Sequence, residues 1–274
     1  VVDYTINEVK NGRTPNPDIM CNKHIKVGLF YDKIADRNFD KIATGHYAQV
    51  KEKEEKFTLV QAPDPIKDQT YFLSRLSQEQ LKRAMFPIGH LEKEEVRKLA
   101  QDFDLPNKDR KDSQGICFLG KLKYSDFLKH YLGEKPGDII EFESKEKLGE
   151  HNGFFYYTIG QRRGIELSGG PWFVVAKDPS KNEIYISNNY HAADKQRNLV
   201  EVSDFNWFEN QPEDKSKLKV KLRHGEEFYD CEINFSNDNK SATLKLNEND
   251  QGIAPGQFAV FYSDHICLGS AVII

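Results

Sequence analysis

Apolar residues recur at helical spacing through His24 to Arg37 (HIKVGLFYDKIADR), with Ile25, Leu29 and Ile34 on one face, which predicts a helix. Asp40 to Thr44 (DKIAT) is a short apolar burst that runs into Gly45, the pattern of a buried strand leaving into a loop. Lys51 to Lys56 (KEKEEK) is a charge run between two strand-like segments and predicts a solvated hairpin tip. Glu92 to Phe103 is amphipathic, opened by acids and followed by Pro106, and predicts another helix. The texture changes near Tyr131 to Gly137 (YLGEKPG), where Gly and Pro replace helical pattern. Beyond it lie short strand-like runs: DIIEF, FFYYTIG (Phe154 to Gly160), WFVVAKD from Trp172 and EIYIS from Glu183. After about Arg197 strands dominate, at Leu218 to Arg223, Glu227 to Phe235, Ala242 to Leu246 and Phe258 to Tyr262, the order of a small barrel or sandwich.

Three regions follow: an α/β part over residues 1–128, a β-rich middle over 129–197 and a β-barrel tail over 198–274. The length of 274 residues suits more than one core. Hydrophobic residues are 38%, charged residues 30% and mean hydropathy is -0.69. No apolar run approaches the roughly 20 residues of a membrane-spanning helix, so no membrane partner is expected. A net charge of -4 argues against a histone-like polycation, but a local basic groove is enough to hold nucleic acid. The chain opens on Val1 and its first Met is Met20, which suggests that residues precede it. The four cysteines, Cys21, Cys117, Cys231 and Cys267, are scattered and form no C-x-x-C pair. A local zinc knuckle, a thioredoxin-type motif and a disulfide framework are therefore disfavoured.

Candidate chemistry concentrates in a few segments. In Gly12 to Lys23 (GRTPNPDIMCNK), Pro15 and Pro17 stiffen a loop and set Asp18 three residues before Cys21. A helix beginning near Asn22 would favour a thiolate at Cys21; a plain turn with a buried Cys fits the same letters. Lys111 to Gly120 (KDSQGICFLG) places Cys117 among Ile116, Phe118 and Leu119 after a polar turn. Ala43 to Tyr47 (ATGHY) sets Gly45 and His46 at a strand end, where open α/β sheets collect ligands. Pro65 to Leu73 (PIKDQTYFL) offers a cation, an acceptor and an amide beside two aromatics, suited to sugar–phosphate contact. Tyr157 to Gly164 (YTIGQRRG) mixes arginines with aromatics, as an RNA contact or a solvated turn would.

Taken together, TPNPDIMCNK, ATGHYA, KDQTYFLSRL, KDSQGICFLG and FFYYTIGQRRGI, with the later GGPWFVVAKD, AADKQRN and Pro255-Gly256-Gln257, resemble the tRNA-specific 2-thiouridylase family in order and spacing. The resemblance implies an incomplete adenine-nucleotide alpha-hydrolase-like (PP-loop) α/β domain, a small β-rich central tRNA-binding domain and a C-terminal β-barrel. It implies a sulfurtransferase that adenylates the C2 oxygen of the wobble uridine with ATP and Mg²⁺, then replaces AMP by persulfide sulfur. Carried over by position, Cys117 is the persulfide cysteine, Cys21 the nucleophile that attacks it with a disulfide between the two in the cycle, and Asp18 the acid/base group. Asn16, Pro17 and Asp18 would face the target base, and Gly45 would contact ATP. His46, Lys67, Asp68, Gln69, Arg223, His224 and Gln257 would contact tRNA. The implied partners are tRNA and a persulfide donor, either a cysteine desulfurase or a sulfur-relay protein. The implied compartment is the cytoplasm, with the mitochondrion as the alternative.

One departure stands against this pattern. The family's S-G-G-x-D-S pyrophosphate loop is absent, and the only SGG, Ser168 to Gly170, runs into Pro171 and Trp172 in the middle region. Residues 1–128 are therefore expected to lack the first strands of the nucleotide domain, and this stretch alone to lack adenylation activity. A tRNA-binding fragment or paralogue without adenylation is the alternative, and the paired cysteines, which binding alone does not need, speak against it.

Overall fold

The computed structural model describes residues 1–109, 119, 120, 122–192 and 197–274. Helix α1 (Val2–Lys10) leads into the double-proline loop, and α2 (Pro17–Cys21) follows. The Asn16 side chain accepts the Ile19 N–H at 3.3 Å, and Pro17 occupies the first helical position, where its missing N–H costs nothing. That start lies ahead of the expected one near Asn22. Cys21 is consequently the fifth helical residue, past the unpaired N–H groups of the first turn, and the end of the helix dipole falls at Asp18 instead. The helix continues through a π-helical stretch, Asn22–Leu29, into α3 (Phe30–Ile34). The π turns change the angular step between residues, so the 3.6-residue stripe does not hold: Val27 turns inward while Ile25 and Leu29 are exposed.

Strand β1 (Ile42–Ala43) is followed by a hairpin of β2 (Ala48–Lys53) and β3 (Lys56–Gln61), whose turn residues Glu54 and Glu55 both take positive φ. Short helices α4 (Thr70–Leu73) and α5 (Gln78–Arg83) lead to β4 (Ala84–Met85), which pairs in parallel with β1. Helix α6 (Lys93–Asp102) is capped by Glu92 and buries none of its residues. Helix α7 (Tyr124–Leu132) ends at Gly133, with φ 67°.

In the middle region β5 (Gly137–Glu141), β6 (Lys147–His151), β7 (Phe173–Asp178) and β8 (Glu183–Ser187) form a sheet in the order β6-β5-β8-β7. The aromatic run expected to be a strand is instead a 3₁₀ turn, Phe154–Tyr156. Its rings serve two cores: Phe154 is buried against Ile139 and Ile184 of the sheet, while Tyr156 packs on the cluster of Ile6, Val9, Phe127 and Leu128. Joining two layers overrides the aromatic preference for strand.

The tail is built of β9 (Leu199–Trp207), β10 (Lys217–Lys221), β11 (Tyr229–Phe235), β12 (Ser241–Leu246), β13 (Phe258–Ser263) and β14 (Ile266–Ile273). These pair in the order β13-β10-β11-β12-β9-β14, and β14 returns to β13, closing a six-stranded antiparallel barrel. Closure removes the free edges that an open sheet would expose. The hairpin from the first region then joins this sheet, with Val60 opposite Ile266 and Leu59 opposite Cys267. Ile19, Leu59 and Tyr71 share one core with Phe258, Val260 and Tyr262. Each fully buried side chain of this size contributes roughly 1.5–3 kcal/mol, so the support of the double-proline loop and the barrel are packed as one body.

Candidate functional site

The loop before α2 is gripped from three sides. From α1, the Tyr4 hydroxyl accepts the Asn16 N–H at 3.4 Å. From the middle region, Pro179 lies so close to Gly12 that a Cβ there would stand 2.4 Å from its Cγ; Gly12 also has φ 75°. From the barrel, Pro255 O accepts the Thr14 N–H at 2.7 Å, and Gln257 Nε2 donates to Thr14 O at 2.9 Å and Pro15 O at 3.0 Å. Gly256, at φ 89°, lets the barrel turn come this close, since a Cβ would meet Thr14 O at 3.0 Å. Asp18 and Cys21 thus project from a helix start whose preceding loop cannot drift. Asp18 is half-buried and Cys21 is buried.

The other motifs fold around that helix. Asn22 Nδ2 donates to Phe72 O at 2.9 Å, and the fully buried Tyr71 hydroxyl donates to Phe258 O at 3.2 Å. Burial pushes the Tyr71 phenol upward, so it stays neutral. Gln69 ties its segment to the ATGHY loop twice: its N–H donates to Tyr47 O at 2.9 Å and its Oε1 accepts the Tyr47 N–H at 3.0 Å. His46 is buried beside Phe86, with Nδ1 2.7 Å from Thr44 Oγ1. Burial, with Lys26 adding to it, lowers its pKa to about 4, so the ring is neutral at pH 7.

From the far end of the chain, His224 lays its ring on Phe72, centroids 4.5 Å apart. Its pKa is pushed down by burial and by Lys221 and Lys67, against the pull of Asp68 and Asp18. Lys67 and Asp18, both remote from it in sequence, therefore lie close enough to His224 to act on its charge. Arg223 is held differently, by Asp250 at 2.8 Å and Glu227 at 3.3 Å, which offset its charge. Asp68 is buried: its carboxylate accepts from Thr70 Oγ1, Ala62 N and Gln61 Nε2, so it braces the segment from inside.

Residues 1–121 match the family described as "tRNA methyl transferase HUP domain", 125–188 that described as "tRNA methyl transferase PRC-barrel domain", and 197–273 that described as "Aminomethyltransferase beta-barrel domain". The tRNA-specific 2-thiouridylase MnmA of Parabacteroides distasonis is 49% identical over 280 residues, covering 100% of this chain and 77% of that protein. MnmA 1 of Bacteroides thetaiotaomicron is 46% identical over 279 residues, and MnmA of Porphyromonas gingivalis 45% over 283, each across the whole chain and 78% of the relative. The chain belongs to the tRNA-specific 2-thiouridylase family.

Within this 2-thiouridylase chain the three matched segments meet at the site, since Asp18, Pro179 and Gln257 come from one segment each. The structure brings together Asn16, Pro17, Asp18, Cys21, Lys67, Gln69, His224 and Gln257, and links Gly45 and His46 to them through the Tyr47–Gln69 bonds. Cys117 lies outside the described residues. Cys231 and Cys267 are buried; burial raises the Cys231 thiol to about 12 and pushes Cys267 up as well, so both stay protonated. Reasoning from the sequence did not single out Tyr4 or Lys221, neither of which carries a local signal; Asp178-Pro179 reads there only as a turn between strands. A cleft of about 850 Å³ lined by Tyr4 and Glu8 of α1, Lys23, Arg75 and Asp204 contains none of the expected site residues. Among the described residues no cluster of three His, Cys, Asp or Glu side chains is arranged to hold a metal. No helix among them is long and apolar enough to cross a membrane.

Proposed function

We propose that this chain carries the sulfur-inserting residues of an enzyme that converts the wobble uridine of tRNA to 2-thiouridine, the S-G-G-x-D-S phosphate loop being absent from the chain itself. The observation that supports it best is the convergence of Asp18 and Cys21 with segments 67–69 and 223–224, drawn from opposite ends of a chain 49% identical to a 2-thiouridylase. An oxygen at C2 of uracil is a poor leaving group. ATP, bound with Mg²⁺, supplies the adenylyl group that makes it a good one. The residues fit a nucleotide at the exposed Gly45, on the carboxyl end of parallel strand β1, where a Cβ would meet only Ile88 Cδ1 at 4.0 Å. Asn16, Pro17 and Asp18 face the splayed base, with Asp18 managing the proton. Cys117 carries the persulfide received from a cysteine desulfurase or relay protein. Cys21 thiolate attacks the Cys117 Sγ, forming the Cys21–Cys117 disulfide and releasing the outer sulfur to C2 as AMP departs; a thiol reductant resets the pair. His46, Lys67, Asp68, Gln69, Arg223, His224 and Gln257 form or brace the RNA-contacting surface, and the enzyme works in the cytoplasm.

The test is to offer the protein, joined to a segment that supplies the S-G-G-x-D-S loop, a persulfide donor and to map the added sulfur by mass spectrometry. The expected site is Cys117; Cys117→Ser loses the label, and Cys21→Ser keeps it but yields no thiolated tRNA. Sulfur on Cys231 or Cys267 would overturn the assignment.

A further inference from the structure

Strand β10 presents Lys217, Lys219 and Lys221 on one face by the two-residue period of a strand. The pattern assigns all three to solvent, and the Lys219 side chain is 53% exposed. The Lys221 side chain is 1% exposed. What covers it is the segment before α4, from which Asp68, fully buried, sets a carboxylate oxygen 3.6 Å from Lys221 Nζ. The ammonium also lies 4.3 Å from the Phe228 ring centroid and 5.8 Å from that of Tyr262. Asp68 is itself fixed in place by Thr70, Ala62 and Gln61, and Thr70 Oγ1 is 3.1 Å from the Tyr262 hydroxyl. A polar cluster here links two parts of the chain through the middle of an apolar core.

The flanks of this pair decide its meaning. Asp68 sits between Lys67 and Gln69, and Lys221 is followed closely by Arg223 and His224. Gln69 passes the position of its segment on to Tyr47, and His224 rests on Phe72. A buried ion pair contributes little net stability over a well-packed apolar one, because desolvation offsets its attraction; its best-attested use is to fix register. Apolar surfaces tolerate sliding, whereas a carboxylate held by three donors offers an ammonium one position. We propose that Lys221 is a positioning residue for tRNA recognition: its buried tie to Asp68 sets Lys67 and Gln69 in the first segment and Arg223 and His224 in the barrel to a single RNA-binding register. This rests on the reading of those four residues as RNA contacts.

The experiment measures tRNA affinity by titrating labelled tRNA against the parent protein, Asp68→Asn, and the double variant Asp68→Asn/Lys221→Met, alongside thermal unfolding. The double variant removes both charges at similar volume, so it is expected to keep a melting temperature near that of the parent. Its tRNA affinity is expected to fall about fivefold or more, and Asp68→Asn, the smaller change, to fall in the same direction. Lys67→Ala and His224→Ala are expected to weaken binding in the parent and to have lost most of their effect in the double variant, a readout that a purely structural pair would not move. A folded double variant, or a folded Asp68→Asn, that binds tRNA like the parent overturns the proposal. If Lys67→Ala and His224→Ala leave the parent's affinity unchanged, the assignment of RNA contacts fails, and the proposal falls with it for that separate reason.

Discussion

Gln257 reaches from the barrel to the loop in front of Asp18, and its substitution tests how that loop is held. Two carbonyls converge on one nitrogen, Thr14 O at 2.9 Å and Pro15 O at 3.0 Å, so the side chain acts there only as a donor. Gln257→Ala removes both bonds. Pro15 is buried, so its carbonyl is left unpaired at about 1–3 kcal/mol, while water replaces part of the bond to the half-buried Thr14 at about 0.5–1.5 kcal/mol. The expected loss is about 2–4 kcal/mol, or roughly 5–10 °C in the melting transition of a chain of this size. Gln257→Glu keeps the shape but turns acceptors toward acceptors, so it should destabilise at least as much as alanine. Both variants should also weaken tRNA binding, because the loop that carries Asn16 to Asp18 is freed. Thermal unfolding with calorimetry reads the first effect and tRNA titration the second. A Gln257→Glu protein as stable as the parent would refute the donor role, and unchanged tRNA binding in a destabilised variant would refute the link to the site.

Other expectations follow from the same geometry. His46 is held near a pKa of about 4 against 6.5 in the unfolded chain, so the unfolded state takes up a proton that the folded state refuses. The contribution is full above pH 6.5 and shrinks as pH falls, by about 2 kcal/mol at pH 5 and about 3 kcal/mol near pH 4. His46→Gln should lack that part of the acid slope, and equal slopes in the two proteins would contradict it. Cys231 and Cys267 should resist alkylation until the protein unfolds; rapid labelling of either in the native state would show that their burial is misjudged. Because Asp250 and Glu227 already offset its charge, Arg223→Ala should reduce the salt slope of tRNA binding by well under one ion. A full unit would mean that the arginine leaves its carboxylates to reach a phosphate.

Local chemistry was readable from the chain where it is carried by residue type and spacing. The charged tip between β2 and β3 is such a case, as is the acid-opened start of α6. What the letters could not supply is partner choice. Nothing in KFTLVQ says that Leu59 will lie opposite Cys267, since that pairing is set by packing against a strand more than two hundred residues away. Strand β14 is not among the strand-like runs singled out, and Gly269 interrupts its side-chain pattern. Gly269 is there because Asn206 O crosses so close that a Cβ would stand 2.0 Å from it. The Phe154–Tyr156 turn misled in the opposite sense, because its aromatic rings join layers. Lys221 looks like an ordinary outward lysine and becomes distinctive only once Asp68 lies over it.

The central claim is that Cys21 and Cys117 together move sulfur to a tRNA uridine, and the most direct measurement is the 2-thiouridine content of tRNA from cells whose only copy of this gene is altered. Mass spectrometry of hydrolysed tRNA should show 2-thiouridine at the parental level with Cys231→Ala, and none with Cys21→Ser or Cys117→Ser while both proteins remain folded. Parental 2-thiouridine in either of the latter two would contradict the account.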